Sequence, residues 1–192
     1  MVFVFDLDDT VCDTDGYSEK YILNFFKENN YPYTFVSKTA RYAEEKFSWD
    51  KESALKWYKT FGDEMMKKFP LKENAKEFIN GLYESGHTII FSTARATDWH
   101  TDPEGVTLEW LNNVGLKYHK LIIGKSKKEE VCFSEGADVF VDDDLEITAR
   151  VASYKMNKPI KVFLMNSNFN LDKEKNEKVV RINSFNEMLE NI

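Results

Sequence analysis

The chain has 192 residues, 42% of them hydrophobic and 15% aromatic, enough apolar material for one domain with an insertion. Lys plus Arg total 26 against 33 Asp plus Glu, a net charge of −7. That balance argues against a nucleic-acid polymer or an anionic membrane surface as partner, but not against a small phosphorylated ligand, which feels only local charge.

No apolar run approaches the roughly 20 residues of a membrane span. The first run is too short for a signal peptide and lacks a basic flank, so a cytoplasmic protein is expected. Cys12 and Cys132 carry no metal spacing and read as free thiols in a reducing compartment.

Val2-Phe3-Val4-Phe5 is a continuous apolar run, as expected of a parallel strand covered on both faces. It breaks at once into Asp6, Asp8 and Asp9. Carboxylates this close repel one another and are costly to desolvate, which calls for a hard divalent cation with oxygen ligands. Residues 13–16 read as a turn. Ser18 then caps a helix to about residue 29 that carries Tyr21, Ile22, Phe25 and Phe26 on one face, and Tyr31-Pro32-Tyr33 ends it. Two further helices are expected over 38–47 and 51–69, rich in rings: Tyr42, Phe47, Trp49, Trp57, Tyr58, Phe61 and Phe69. No strand pattern occurs between residues 11 and 70.

From residue 70 the rhythm changes. An amphipathic helix over 72–84 is stopped by Gly86. Strands are expected at 87–92, 121–123, 139–141 and 161–165, separated by helices at 104–114, 127–134 and 145–155. A last edge strand fits 179–182, and Ser184 with Glu187 has capping-box spacing for the final helix. Such alternation predicts an α/β fold: a Rossmann-like parallel sheet with helices on both faces, and a small α-helical insert after the first strand. The expected division is a core of residues 1–14 and 71–192 and an insert of residues 15–70.

Open parallel sheets bind ligands at the carboxyl ends of their strands. The first strand ends in Asp6, Asp8 and Thr10, and the second in Ser92-Thr93-Ala94-Arg95. The third ends in Gly124-Lys125-Ser126-Lys127-Lys128, and the fourth in Asp142-Asp143-Asp144. Every strand delivers polar or charged groups to one edge, so a site is expected there.

The stretch Phe5-Asp6-Leu7-Asp8-Asp9-Thr10 resembles the first motif of the haloacid dehalogenase superfamily, and the later strand ends follow the order of its other motifs. The resemblance implies a phosphomonoesterase in which Asp6 is the nucleophile and Asp8 the general acid and base. Thr93 binds a phosphoryl oxygen, and Asp142 and Asp143 complete a Mg²⁺ site with Asp6 and the backbone of Asp8. Either Lys128 or Lys125 is the motif lysine, Lys128 being preferred because it opens a helix. Asp144 reads as a helix cap. Position 9 departs from many relatives, which have Gly there. Chemically, the acid role asks for a raised Asp8 pKa.

Softer motifs resemble bacterial nucleotidases of the 5'(3')-deoxyribonucleotidase type: Ser92-Thr93-Ala94-Arg95, Thr107-Leu108-Glu109-Trp110-Leu111, and Val162 to Asn166 with Phe169-Asn170 behind it. They imply nucleoside monophosphates as substrates. Ser92, Ala94, Thr10 and Lys125 are then candidate phosphate or sugar contacts, and Arg95 either contacts phosphate or ribose or pairs with an acidic neighbour. Phe47, Trp49, Trp57 and Tyr58 in the insert are candidate base contacts, although core packing between helices is the better account of any single ring. His100 reads as a surface residue. A sugar-phosphate phosphatase on the same machinery is the alternative. A receiver-like phosphoacceptor module is a distant one, because its acceptor Asp would end a middle strand that here ends in Ser92-Thr93. An oligomer is possible but nothing in the sequence indicates one.

Overall fold

The computed structural model describes residues 1–97, 99–171 and 176–192. Six strands form one sheet: β1 (Val2–Phe5), β2 (Thr88–Thr93), β3 (Lys120–Ile123), β4 (Val139–Asp142), β5 (Lys161–Met165) and β6 (Val180–Ile182). Their order is β3-β2-β1-β4-β5-β6, and every pairing is parallel. The chain reverses its direction of travel across the sheet between β1 and β4, the position where open α/β sheets form a crevice. Phe5 is in register with Phe91 on one side and Val141 on the other, which sets the residues that follow these strands side by side.

Both faces of the sheet's central strands are buried, so the middles of β1, β2, β4 and β5 are apolar. Phe3, Phe5, Phe91, Val141 and Phe163 point into one cluster, and Val4, Ile90, Phe140, Val162 and Leu164 into the other. The alternation within each strand is the period of two dictated by the pleat. Connections run through helices α4 (Ala75–Glu84), α5 (Pro103–Val114), α6 (Lys128–Glu135) and α7 (Leu145–Ser153), and α8 (Phe185–Leu189) closes the chain. The expected cap of the last helix forms: Ser184 Oγ accepts from Glu187 N, and Glu187 accepts from Asn183 N at 2.7 Å. No helix among the described residues is long and apolar enough to cross a membrane.

Between β1 and α4 lie α1 (Thr14–Glu28), α2 (Ala43–Lys46) and α3 (Lys51–Met66). Two expectations are corrected here. The first helix starts at Thr14 rather than after Ser18, because Asp13 caps it by accepting from Gly16 N and Asp9 Oδ1 accepts from Asp15 N at 2.8 Å. The expected helix over 38–47 shrinks to one turn at Ala43–Lys46. Val36 N and Ser37 N both donate to Lys46 O, which folds residues 37–42 into a loop.

The rings of this insert pack mainly on one another. Trp49 lies 5.0 Å from Phe26 and Trp57 lies 5.7 Å from Phe25, centroid to centroid. They merge with the sheet's larger apolar cluster.

Candidate active site

The strand ends converge on one cavity of roughly 270 Å³, lined by Asp6, Asp8, Thr93, Lys128 and Asp142 together with residues of the insert. Asp6 leaves β1 where its backbone N–H is still held by Val141 O at 2.9 Å, so its carboxylate is fixed beside β4. Lys128, the first residue of α6, is fully buried. Its Nζ donates to Asp6 Oδ1 at 2.9 Å and closely to the carbonyl of Ser92. The structure thus places Lys128, not Lys125, on Asp6. Lys125 is exposed and does not line the cavity.

Asp142 and Asp143 follow β4, and one oxygen from each of Asp6, Asp142 and Asp143 lies within 4.8 Å of the others. Burial pushes the pKa of Asp142 and of Asp143 well up, and the neighbouring carboxylates push it further. Thr10 Oγ1 donates to Asp143 Oδ1 at 3.1 Å, and Asp144 N donates to Asp142 Oδ1 at 2.8 Å. Asp142 Oδ2 and Asp143 Oδ2 are buried and accept no hydrogen bond among the described residues. Buried carboxylate oxygens left in this state cost free energy unless a cation takes them. The donor set, all oxygen, suits a hard divalent ion such as Mg²⁺. Asp144 does what its sequence suggests and caps α7, accepting from Glu146 N and Ile147 N.

Asp8 differs from expectation. Its carboxylate is absent from the three-oxygen cluster and instead meets Arg95, whose Nε and Nη2 donate to it at 2.9 and 2.8 Å. Thr14 Oγ1 adds a third bond at 2.8 Å. Burial alone would raise the Asp8 pKa, but the Arg95 charge and these bonds outweigh it and hold the group at about 2. The raised value expected for an acid is therefore not found in this arrangement. Arg95 is itself fully engaged, since its Nη1 donates to Thr107 Oγ1 at 3.1 Å. Its guanidinium serves Asp8 rather than standing free for a phosphate.

Asp9 explains the departure from Gly at that position. It holds a left-handed backbone, φ 55°, a conformation that favours glycine. The carboxylate offsets the strain by accepting from Asp15 N at the start of α1, and burial pushes its pKa up to about 7.

Thr93 and Ala94 line the cavity, and Ser92 is buried directly beneath it. Of the four rings proposed from the insert, Phe47 and Tyr58 line the cavity, whereas Trp49 and Trp57 do not. Their indoles fill the interior of the insert, where Trp49 Nε1 donates to Tyr31 Oη at 3.1 Å. Two other rings take the lining positions: Tyr42 and Trp99 stack at 6.0 Å and 11°. His100 also lines the cavity, paired with Asp63 at 3.2 Å, and is not a free surface residue. Burial and the Arg95 charge lower its pKa.

Four polar lining residues of the insert gave no sequence signal: Asp15, Glu19, Arg41 and Lys46. Arg41 reaches from the 37–42 loop to Asp144 and to Asp143, the latter at 3.6 Å. Asn170, noted in sequence only as part of a soft motif, is fully buried and donates to Asp143 O at 2.7 Å and Met165 O at 2.9 Å, fixing the backbone of the acidic pair.

No family model and no curated protein sequence matches the chain. Solved structures do. A haloacid dehalogenase-like family hydrolase from Streptococcus pneumoniae superposes with a TM-score of 0.65 at 13% identity, covering 99% of this chain and 97% of that one. The fold is that of the haloacid dehalogenase-like hydrolases. CbbY from Rhodobacter sphaeroides, solved with phosphate, shares the haloacid dehalogenase-like fold at TM-score 0.64 and 11% identity over 97% of this chain and 95% of that one. D,D-heptose 1,7-bisphosphate phosphatase from B. bronchiseptica, solved with magnesium and phosphate, shares it at TM-score 0.55 and 10% identity, over 100% of this chain and 99% of that one.

Proposed function

We propose that this chain is a Mg²⁺-dependent phosphomonoesterase that works through an aspartyl-phosphate at Asp6, with nucleoside monophosphates as its first substrates. One observation carries the reading. A carboxylate held at 2.9 Å by a fully buried lysine sits in a cavity with two further carboxylates whose outer oxygens accept no hydrogen bond among the described residues.

A phosphomonoester is doubly charged and resists attack by an anion, so the site must first neutralise it. Asp6, Asp142 and Asp143, with the backbone carbonyl of Asp8, would hold the ion. When bound, Mg²⁺ supplies charge neutralisation and orients the phosphoryl group. Lys128 offsets further charge and aims the Asp6 carboxylate. Thr93, with nearby backbone N–H groups, binds phosphoryl oxygens. Asp6 then attacks phosphorus as the ester oxygen leaves.

Asp8, ionised beside Arg95, is in the right form to take a proton from the water that hydrolyses the intermediate. Protonating the leaving group requires Asp8 to part from Arg95. Residues 15–70 act as a cap over the core of residues 1–14 and 71–192, and Tyr42, Tyr58, Phe47 and Trp99 offer flat faces to a nucleobase.

A second reading, a sugar-phosphate phosphatase, is favoured by the likeness to the heptose bisphosphate phosphatase. Phosphate release measured with Mg²⁺ over nucleoside 5'- and 3'-monophosphates and sugar phosphates separates the two. Preference for nucleotides supports the base-binding cap. Preference for sugar phosphates keeps the chemistry and replaces the substrate.

A further inference from the structure

Part of the cavity lining comes from the insert, and the charged cluster it contributes is unbalanced. Lys46 is only 2% exposed, and its Nζ donates to Asp15 Oδ1 at 2.5 Å and to Glu19 Oε2 at 3.0 Å. Two carboxylates on one ammonium leave this wall with one net negative charge, with Lys46 and Asp15 buried and Glu19 about one third exposed.

The other cations of the lining do not relieve it. Arg41 is bound to Asp143 and Asp144, Arg95 to Asp8, and Lys128 to Asp6. Glu19 Oε1, Ser18 Oγ and Tyr58 Oη belong to lining residues and bond no protein group among the described residues. Tyr42 and Trp99, stacked on each other, add flat apolar surface to the same lining.

We propose that the Asp15–Lys46–Glu19 wall selects the leaving group. It accepts an uncharged group that offers O–H or N–H donors to Glu19, and it rejects a substrate with a second phosphate or carboxylate. The inference rests on the phosphatase reading above. A donor-bearing leaving group gives Glu19 Oε1 a partner and stacks on the rings. A second anionic group would be stripped of water and set against a carboxylate, which works as a repulsive element of specificity.

The test uses wild-type protein, Mg²⁺ and matched pairs that differ by one phosphate: a nucleoside 5'-monophosphate against its 3',5'-bisphosphate, and fructose 1-phosphate against fructose 1,6-bisphosphate. The expected kcat/KM is at least about tenfold higher for the singly phosphorylated member of each pair, with the difference in KM. Glu19→Gln, which removes the surplus charge, should narrow that ratio to about threefold, again through KM, and Glu19→Asp should restore it.

Equal or faster turnover of the bisphosphates, or an unchanged ratio in Glu19→Gln, overturns the inference and leaves the phosphatase standing. If none of these esters nor 4-nitrophenyl phosphate releases phosphate, the phosphatase reading itself fails and this inference with it.

Discussion

The strand-end edge and the helical insert line the same cavity by opposite means. At the edge, backbone register does the placing: Phe5 pairs with both Phe91 and Val141, so Asp6, Ser92 and Asp142 follow in adjacent positions. The groups there are charged, buried and tied to one another within 3.1 Å, as in Lys128 to Asp6 and Thr10 to Asp143. In the insert, side-chain packing does the placing. Its rings hold one another, and the charged residues that reach the cavity come from wherever that packing leaves them. The edge is therefore suited to fixed chemistry, and the insert to reading the rest of the ligand.

Substitutions that act on one region alone would sharpen this contrast. Lys128→Met leaves Asp6 buried without its cation. Loss of one partner of a buried pair costs about 3–5 kcal/mol, readable as a lower denaturant midpoint. The same change should lower phosphate release by about 10²-fold or more, as removal of one positioned charge donor does elsewhere.

Arg95→Met is the next largest. It strands the Asp8 carboxylate beside Thr14 alone, with an expected loss of about 2–5 kcal/mol in stability and at least about tenfold in kcat. Stability and activity falling together would show that the pair acts as one unit.

The insert should respond differently. Trp57→Ala removes a ring from its interior and should cost about 3–5 kcal/mol of stability, with kcat/KM within about threefold of wild type in protein that remains folded. Trp99→Ala should do the reverse, leaving the denaturant midpoint nearly unchanged and raising KM by about tenfold for a substrate with a flat leaving group. If Trp57→Ala alters KM and Trp99→Ala does not, the assignment of rings to interior and lining is wrong.

The two regions also differed in how far the sequence could be read. β5 has the expected bounds and β1 lies on the opening apolar run, while β2, β3 and β4 depart from expectation by a residue at one end or both, because a parallel strand covered on both faces leaves a short apolar run with polar ends. The order of charged strand ends was enough to bring Asp6, Lys128, Asp142 and Asp143 together. What the sequence could not show was a side chain's choice of partner. Arg95 could be read in sequence either as a phosphate or ribose contact or as the partner of an acidic neighbour, and it is the carboxylate of Asp8 inside the fold that takes it.

In the insert the failure was geometric. Residues 38–47 look helical by composition, yet two backbone bonds to Lys46 O draw residues 37–42 into a loop that carries Arg41 to the acidic pair. Asp15, Glu19 and Lys46 gave no signal in sequence, because what joins them at the cavity is the pair of bonds that Lys46 Nζ makes from α2 to α1. Trp49 and Trp57, the largest rings of the block, are the ones its interior needs, so the smaller neighbours Tyr42 and Tyr58 are left to line the cavity.

The central claim is that Asp6 is a nucleophile served by Lys128 and by a cation held on the acidic pair. The most direct test is phosphate release from a nucleoside monophosphate by wild type with Mg²⁺, by wild type after chelation, and by Asp6→Asn with Mg²⁺. The account predicts turnover in the first case only, with Asp6→Asn at background while its thermal unfolding shows it folded. Turnover that survives chelation, or that persists in Asp6→Asn, would contradict it.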